Sequence, residues 1–201
     1  MRYRAMTEQM ERRVISSANL EIRQDENESR LVGYAAVFNS MSENLGGFRE
    51  QIAPGAFSRS LAQGEDIRAL WNHNSDIVLG RTRSGTLSLV EDENGLRAEI
   101  EPPESAGNLM ESVRRGDVSQ MSFGFMVRPN GDRIDEDEDG MILRTLTDVR
   151  LMEVSAVAFP AYPETSIDAR TLEHWRELVR PKATPGQVAR ARMRRALLDR
   201  L

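Results

Sequence analysis

Residues 86–100 decide the fold class: Thr86-Leu87-Ser88-Leu89-Val90-Glu91-Asp92-Glu93-Asn94-Gly95-Leu96-Arg97-Ala98-Glu99-Ile100. Leu87 and Leu89 share one face of an extended chain, and Leu96, Ala98 and Ile100 alternate with charged partners. Alternation with a period of two marks a half-buried strand. Asn94-Gly95 between two such runs favours a type I′ hairpin, whose two turn residues both need positive φ. Pro102-Pro103 ends the second strand, because proline offers the ladder no N–H. A doubly wound α/β fold needs a helix between successive strands, and this hairpin argues against it.

Working outward, most of the chain has the same strand character. Residues 14–23 alternate loosely. Residues 30–38 are apolar on both faces, Leu31, Gly33, Ala35 and Val37 on one and Val32, Tyr34, Ala36 and Phe38 on the other, as in a strand buried on both sides. Short strands are expected over 67–71, running on to His73, and over 119–127, 141–150 and 152–159, with an acidic loop at 130–140. Helical spacing is found over 54–61, 106–115 with Gly116 as its stop, and 164–179. Pro181 to Gly186 has the composition of a linker, and 187–201 is a short Arg-rich helix with Ala189, Met193 and Leu197 in one stripe. Many short strands and few helices predict a mainly β, α+β domain: an antiparallel barrel of about seven strands with peripheral helices. Its expected parts are an N-terminal extension (1–29), a barrel domain (30–180) and a linker with a basic tail (181–201).

Composition narrows the chemistry. The 201 residues are 39% hydrophobic and 29% charged, enough for one sizeable core. There is no cysteine and there are two histidines, so disulfides, thiolate metal sites and structural zinc are not expected, nor is any cofactor. Residues 1–11 have no apolar stretch of the kind a secretory signal needs, and no run is long enough to span a bilayer, so an intracellular, reducing setting without a membrane partner is the expectation. The net charge of -5 conceals an asymmetry: residues 176–201 hold eight Lys/Arg and two Asp/Glu, so the tail is basic and the body acidic. Asp135, Asp137, Asp139 and Gly140 match the start of a calcium loop, but its twelfth position is Leu146 instead of a bidentate Glu and the flanks read as strands.

Three strand-like segments each carry one reactive side chain. His73 follows Ala69-Leu70-Trp71-Asn72, Ser122 lies in Met121-Ser122-Phe123-Gly124-Phe125, and Glu153 lies in Leu151-Met152-Glu153-Val154-Ser155. Without cysteine, a nucleophile must be a hydroxyl, a lysine or a carboxylate, and an imidazole base must be His73 or His174. Each residue also has a plain structural role open to it. His73 could end a strand, Ser122 could bond backbone in the core, and Glu153 could pair with Arg150. The chain lacks the G-x-S-x-G elbow of α/β-hydrolases.

The order of segments resembles the phage prohead maturation proteases, a family related in fold to the herpesvirus assemblin proteases. The resemblance is carried by Gly33-Tyr34-Ala35-Ala36-Val37-Phe38, Ile52-Ala53-Pro54-Gly55-Ala56-Phe57, Trp71-Asn72-His73-Asn74 with Leu79-Gly80-Arg81, Gly95-Leu96, Met121 to Phe125, Glu153-Val154-Ser155 and Pro160-Ala161-Tyr162-Pro163. It implies a serine endopeptidase that cleaves the major capsid protein or its scaffold segment, and itself as well, inside an immature phage capsid in the host cytoplasm. His73 would be the base, Ser122 the nucleophile and Glu153 the third member, where the herpesvirus relatives have a second histidine. Those relatives also use an arginine near the oxyanion, for which Ala161-Tyr162 offers no counterpart, leaving backbone N–H groups as donors. Two other classes fit less well: a non-catalytic capsid-assembly barrel docked by its basic tail, and a nucleic-acid-binding barrel. The acidic body and 5% aromatic content argue against nucleic acid as a partner of the barrel itself.

Overall fold

The structure is a computed structural model that describes residues 10–15, 20–25, 28–159 and 169–179. In chain order its strands are β1 (Glu11–Ile15), β2 (Glu21–Asp25), β3 (Glu28–Val37), β4 (Phe48–Ile52), β5 (Arg68–Trp71), β6 (Asn74–Arg81), β7 (Leu87–Glu91), β8 (Gly95–Ile100), β9 (Gln120–Val127), β10 (Asp132–Glu136), β11 (Ile142–Leu146) and β12 (Val149–Val157). Its helices are α1 (Ser58–Ala62), α2 (Gly107–Arg114) and α3 (Ala169–Val179).

The mainly β class holds, and among the described residues no closed antiparallel barrel of about seven strands is found. The described strands form three sheets, ordered β1-β9-β12-β5-β6, β10-β11-β4 and β2-β3-β8-β7. Two pairings, β12 with β5 and β11 with β4, are parallel. Parallel neighbours are joined only by long crossovers, so nothing local in the sequence announces them. The core lies between the five-stranded and four-stranded sheets. It takes Met121, Phe123, Phe125, Leu151, Val154 and Ala156 from the first and Leu31, Ala35, Leu96, Ala98 and Ile100 from the second. Phe57 meets Phe123 edge-on at 5.4 Å between ring centroids, and Phe123 stacks on Phe125 at 5.0 Å. A smaller cluster, Phe48, Ile142 and Trp175, seats α3 on the three-stranded sheet. No helix among the described residues is long and apolar enough to cross a membrane.

The β7–β8 hairpin forms where expected, with Glu91 opposite Leu96, but its turn is not type I′. Neither Asn94 nor Gly95 has positive φ. Asp92 builds the turn instead, its Oδ1 accepting the N–H groups of Asn94 (2.8 Å) and Gly95 (3.1 Å). Glycine serves at 95 for closeness of approach: a Cβ there would lie 2.0 Å from the carbonyl oxygen of Ala36 on the neighbouring strand. The expected acidic loop is also corrected. Residues 132–136 form β10, antiparallel to β11, and Asp137 organises the turn that follows. Its Oδ1 accepts the N–H groups of Asp139 and Met141, and its Oδ2 takes Arg49 Nη1 at 2.9 Å. These bonds hold the Asp137 carboxyl below its ordinary value, the Met141 amide acting most strongly.

Residues 1–29 contribute β1 and β2, each hydrogen-bonded into a sheet, and β3 already begins at Glu28. The linker and tail expected over 181–201, the Pro160–Pro163 motif and the start of the 164–179 helix lie outside the described residues.

Candidate active site

Four side-chain positions on one face of the five-stranded sheet define the site. Ser122 on β9 stands opposite Ser155 on β12, and Gly124 stands opposite Glu153. Residues two apart on a strand share a face, so Ser122, Gly124, Glu153 and Ser155 point the same way. A bulge between Leu151 and Glu153 shifts the register ahead of them and re-aims the carboxylate, as bulges beside functional sites do.

His73 reaches this face from the β5–β6 turn, not from within a strand as the sequence suggested. Asn72 and His73, at φ 50° and 60°, both occupy the left-handed region, and Trp71 pairs with Asn74 across them. Non-glycine residues at positive φ are uncommon and cost on the order of 1–3 kcal/mol where the surroundings impose them. Here β12 imposes them: Asn72 N–H donates to Ala156 O at 2.9 Å, and Ala158 N–H donates to Asn72 Oδ1 at 2.9 Å. The turn is thus tied to the strand that carries Glu153.

His73 Nδ1 lies 2.6 Å from Glu153 Oε1, with side-chain exposures of 11% and 5%. Against a carboxylate, Nδ1 carries the hydrogen and Nε2 is left with its lone pair. Nε2 is buried with no hydrogen-bond partner among the described residues. Glu153 is fixed from the other side by Ser155, whose Oγ donates to Oε2 at 2.5 Å, and Arg12 Nε lies 3.6 Å from Oε1. Arg150, the partner considered from sequence, instead pairs with Glu65 at 3.3 Å. Gly124 makes room for the carboxylate, since a Cβ there would sit 2.6 Å from Glu153 Oε1.

The third expected residue, Ser122, is on the adjacent strand and fully buried. Its hydroxyl donates to the carbonyl oxygen of Arg13 on β1 at 2.7 Å. The structure therefore brings His73 and Glu153 into direct contact and engages the Ser122 hydroxyl with β1 instead of the imidazole. Ser155 and Gly124 stand in the quoted segments, but the sequence reading assigned neither of them a role toward Glu153. The signal for both was the period-two alternation that puts Ser155 two residues from Glu153 and Gly124 two from Ser122.

On the opposite face of β1 a buried charge network anchors the same strand. Arg13 Nε donates to Glu50 Oε1 at 2.5 Å, and Nη2 to Glu50 Oε2 at 2.9 Å and Glu11 Oε2 at 2.7 Å. Arg144 joins Glu50, Glu11 and Asp132 at 2.8–3.1 Å. Burial works against the Arg13 charge, but the attraction and hydrogen bonds of Glu50 and Glu11 together outweigh it and Arg13 is raised above its ordinary value. Burial likewise pushes the Glu11 carboxyl up, and Arg144 with Arg13 bring it below its ordinary value. Among the described residues no three His, Asp or Glu side chains converge to hold a metal.

A buried imidazole in contact with a carboxylate, and a buried serine on the strand next to that carboxylate's, are the residue types that acyl transfer by a serine nucleophile uses. No curated protein matches the chain. Among solved structures, the capsid assembly protease of bacteriophage T4 aligns with a TM-score of 0.44 and 10% identity, over 73% of this chain and 98% of that one. A family model described as caudovirus prohead serine protease matches residues 18–177, well over half of the chain. The chain therefore belongs to the caudovirus prohead serine protease family.

Proposed function

We propose that this capsid-maturation serine protease works with Ser122 as nucleophile, His73 as general base and Glu153 as the group that orients and charges the imidazole. Ser122 Oγ attacks the scissile carbonyl carbon as its proton passes to His73 Nε2. The imidazolium that forms is stabilised by Glu153, which keeps the hydrogen on Nδ1. Charge accumulating on the carbonyl oxygen is met by backbone N–H groups. Collapse of the tetrahedral intermediate breaks the C–N bond, and His73 returns the proton to the leaving amine. Water, deprotonated by the same imidazole, then releases the acyl group and restores Ser122.

The observation that carries the reading is the 2.6 Å contact between His73 and Glu153, which leaves a buried, unpartnered Nε2, with Glu153 on the strand next to that of Ser122. A non-catalytic assembly barrel has no need of such a pair. Ser155 supports it by holding the far carboxylate oxygen. The natural substrate on this reading is the major capsid protein or its scaffold segment, cut inside the immature capsid in the host cell, with the protease itself as a further substrate. The test is co-expression with the capsid protein and inspection of cleavage products on a gel. Ser122→Ala and His73→Ala should each abolish processing while the protein stays folded, since losing one member of a working unit costs several orders of magnitude. Capsid protein processed by Ser122→Ala at close to the wild-type rate would exclude the assignment.

A further inference from the structure

β9 carries the serine and has two neighbours. One side is permanently filled by β12. The other side is filled by the chain's own N-terminal strand, in a five-residue antiparallel register from Glu11↔Phe125 to Ile15↔Met121. An extended polypeptide that presents a carbonyl to Ser122 by adding a strand to this sheet needs that same edge. Strand β1 already does what such a polypeptide would do. Its Arg13 carbonyl oxygen accepts the Ser122 hydroxyl at 2.7 Å. Met10 caps Gly124, where a Cβ would come within 2.3 Å of Met10 Cε, and Arg12 stands 3.6 Å from Glu153. The Arg13 side chain, 7% exposed, is clamped by both oxygens of Glu50 and lies 5.4 Å from the centroid of the Phe125 ring. The family match begins at residue 18, beyond this strand.

We infer that β1 is a built-in occupant of the substrate track. It holds the enzyme latent, and an extended substrate displaces it, placing an Arg or Lys where Arg13 now sits on Glu50. The inference rests on Ser122 being the nucleophile. A hydroxyl that donates its hydrogen to the Arg13 carbonyl is not donating it to His73, and a fully buried serine is not open to substrate, so the competent state is the one without β1. Apparent affinity for substrate is then reduced by the fraction of molecules in that open state. Departure of β1 does not strand the Glu50 charge, because Arg144 Nη1 remains 3.1 Å from Glu50 Oε2. An incoming cation takes over the contacts Arg13 gives up.

The experiment inserts the recognition sequence of a specific protease between Ile15 and Leu20, lets the whole chain fold, and cuts it afterwards. The readout is the rate at which a fluorophosphonate probe labels Ser122. The uncut chain should label slowly and the cut chain, diluted, on the order of tenfold faster or more. A synthetic peptide with the sequence of residues 10–15 should restore slow labelling, and the same peptide with alanine in place of Arg13 should need a far higher concentration. In the uncut chain, Arg13→Gln weakens only the anchor and should raise the labelling rate several-fold. If the cut chain loses its melting transition, this variant decides, and an unchanged rate overturns the inference. Labelling of Ser122 at equal rates in cut and uncut chains overturns it as well. No label on Ser122 in either form of a chain that still cleaves capsid protein contradicts the nucleophile assignment, and the inference falls with it.

Discussion

Glu153→Gln removes one charge from the site and almost nothing else. The Glu153 side chain is 5% exposed and sits 2.6 Å from the imidazole, so bulk water screens the pair poorly. With charge centres about 4 Å apart and an effective dielectric of about 20, the carboxylate stabilises the imidazolium by about 4 kcal/mol, equivalent to about 10³ in rate. Arg12, 3.6 Å from the same oxygen, offsets part of that attraction, which puts the expected fall in kcat between about 10² and 10³. The amide adds a second effect. If its NH₂ faces Nδ1, the imidazole must place its hydrogen on Nε2 and can no longer act as a base there; if its oxygen does, the NH₂ faces Ser155 Oγ, which must then accept instead of donate. The assay is kcat and KM on a peptide from the capsid cleavage site, together with thermal melting. The expected result is a large loss in kcat, a nearly constant KM and a small change in melting temperature. A kcat within about threefold of wild type would refute the role, and a large drop in melting temperature with full activity per folded molecule would make Glu153 a structural residue.

Gly124→Ala should lower kcat by about 10- to 100-fold, because the new Cβ would lie 2.6 Å from Glu153 Oε1 and shifts approaching 1 Å carry such losses; wild-type turnover would show that the carboxylate position is not critical. Ser155→Ala deletes the 2.5 Å bond to Glu153 Oε2 and should cost about tenfold in kcat, the worth of a charge-assisted hydrogen bond, measured against an unchanged KM. The third expectation concerns acid. The Glu11 carboxyl is held below its ordinary 4.5 by Arg144 and Arg13 acting against burial, and Asp66 is lowered from 3.8 to about 2, chiefly by its hydrogen bond with Arg81. Lowered carboxyls stabilise the fold fully above their unfolded values and lose that contribution as pH falls through their folded ones. Melting temperature should therefore decline from about pH 4.5 downward and keep declining towards pH 2, and a flat profile over that window would contradict both networks.

What was legible in the sequence was local. The β7–β8 hairpin, the two-sided burial of β3 and the strand placements of Ser122 and Glu153 follow from alternation within single segments. The turn chemistry of Asn94-Gly95 misled because Asp92, two residues earlier, captures the amides, and because Gly95 answers to Ala36 on another strand. His73 read as a strand end because its left-handed turn is imposed by Ala156 and Ala158, more than eighty residues away. The acidic segment read as a loop because the charges of β10 are answered from other strands, as when Arg144 takes Asp132. The Arg13–Glu50–Arg144 network joins three distant segments, and no spacing rule in one sequence reports which distant strands become neighbours.

The central claim is that Ser122 is the nucleophile. Ser155 offers the sharpest alternative, since it stands directly opposite on β12 and its hydroxyl already contacts Glu153. The most direct measurement is to inactivate the protease with a serine-reactive phosphonate and locate the adduct by peptide mass spectrometry. The account predicts one adduct, on Ser122, abolished in His73→Ala. An adduct on Ser155 in an otherwise unmodified protein would contradict it.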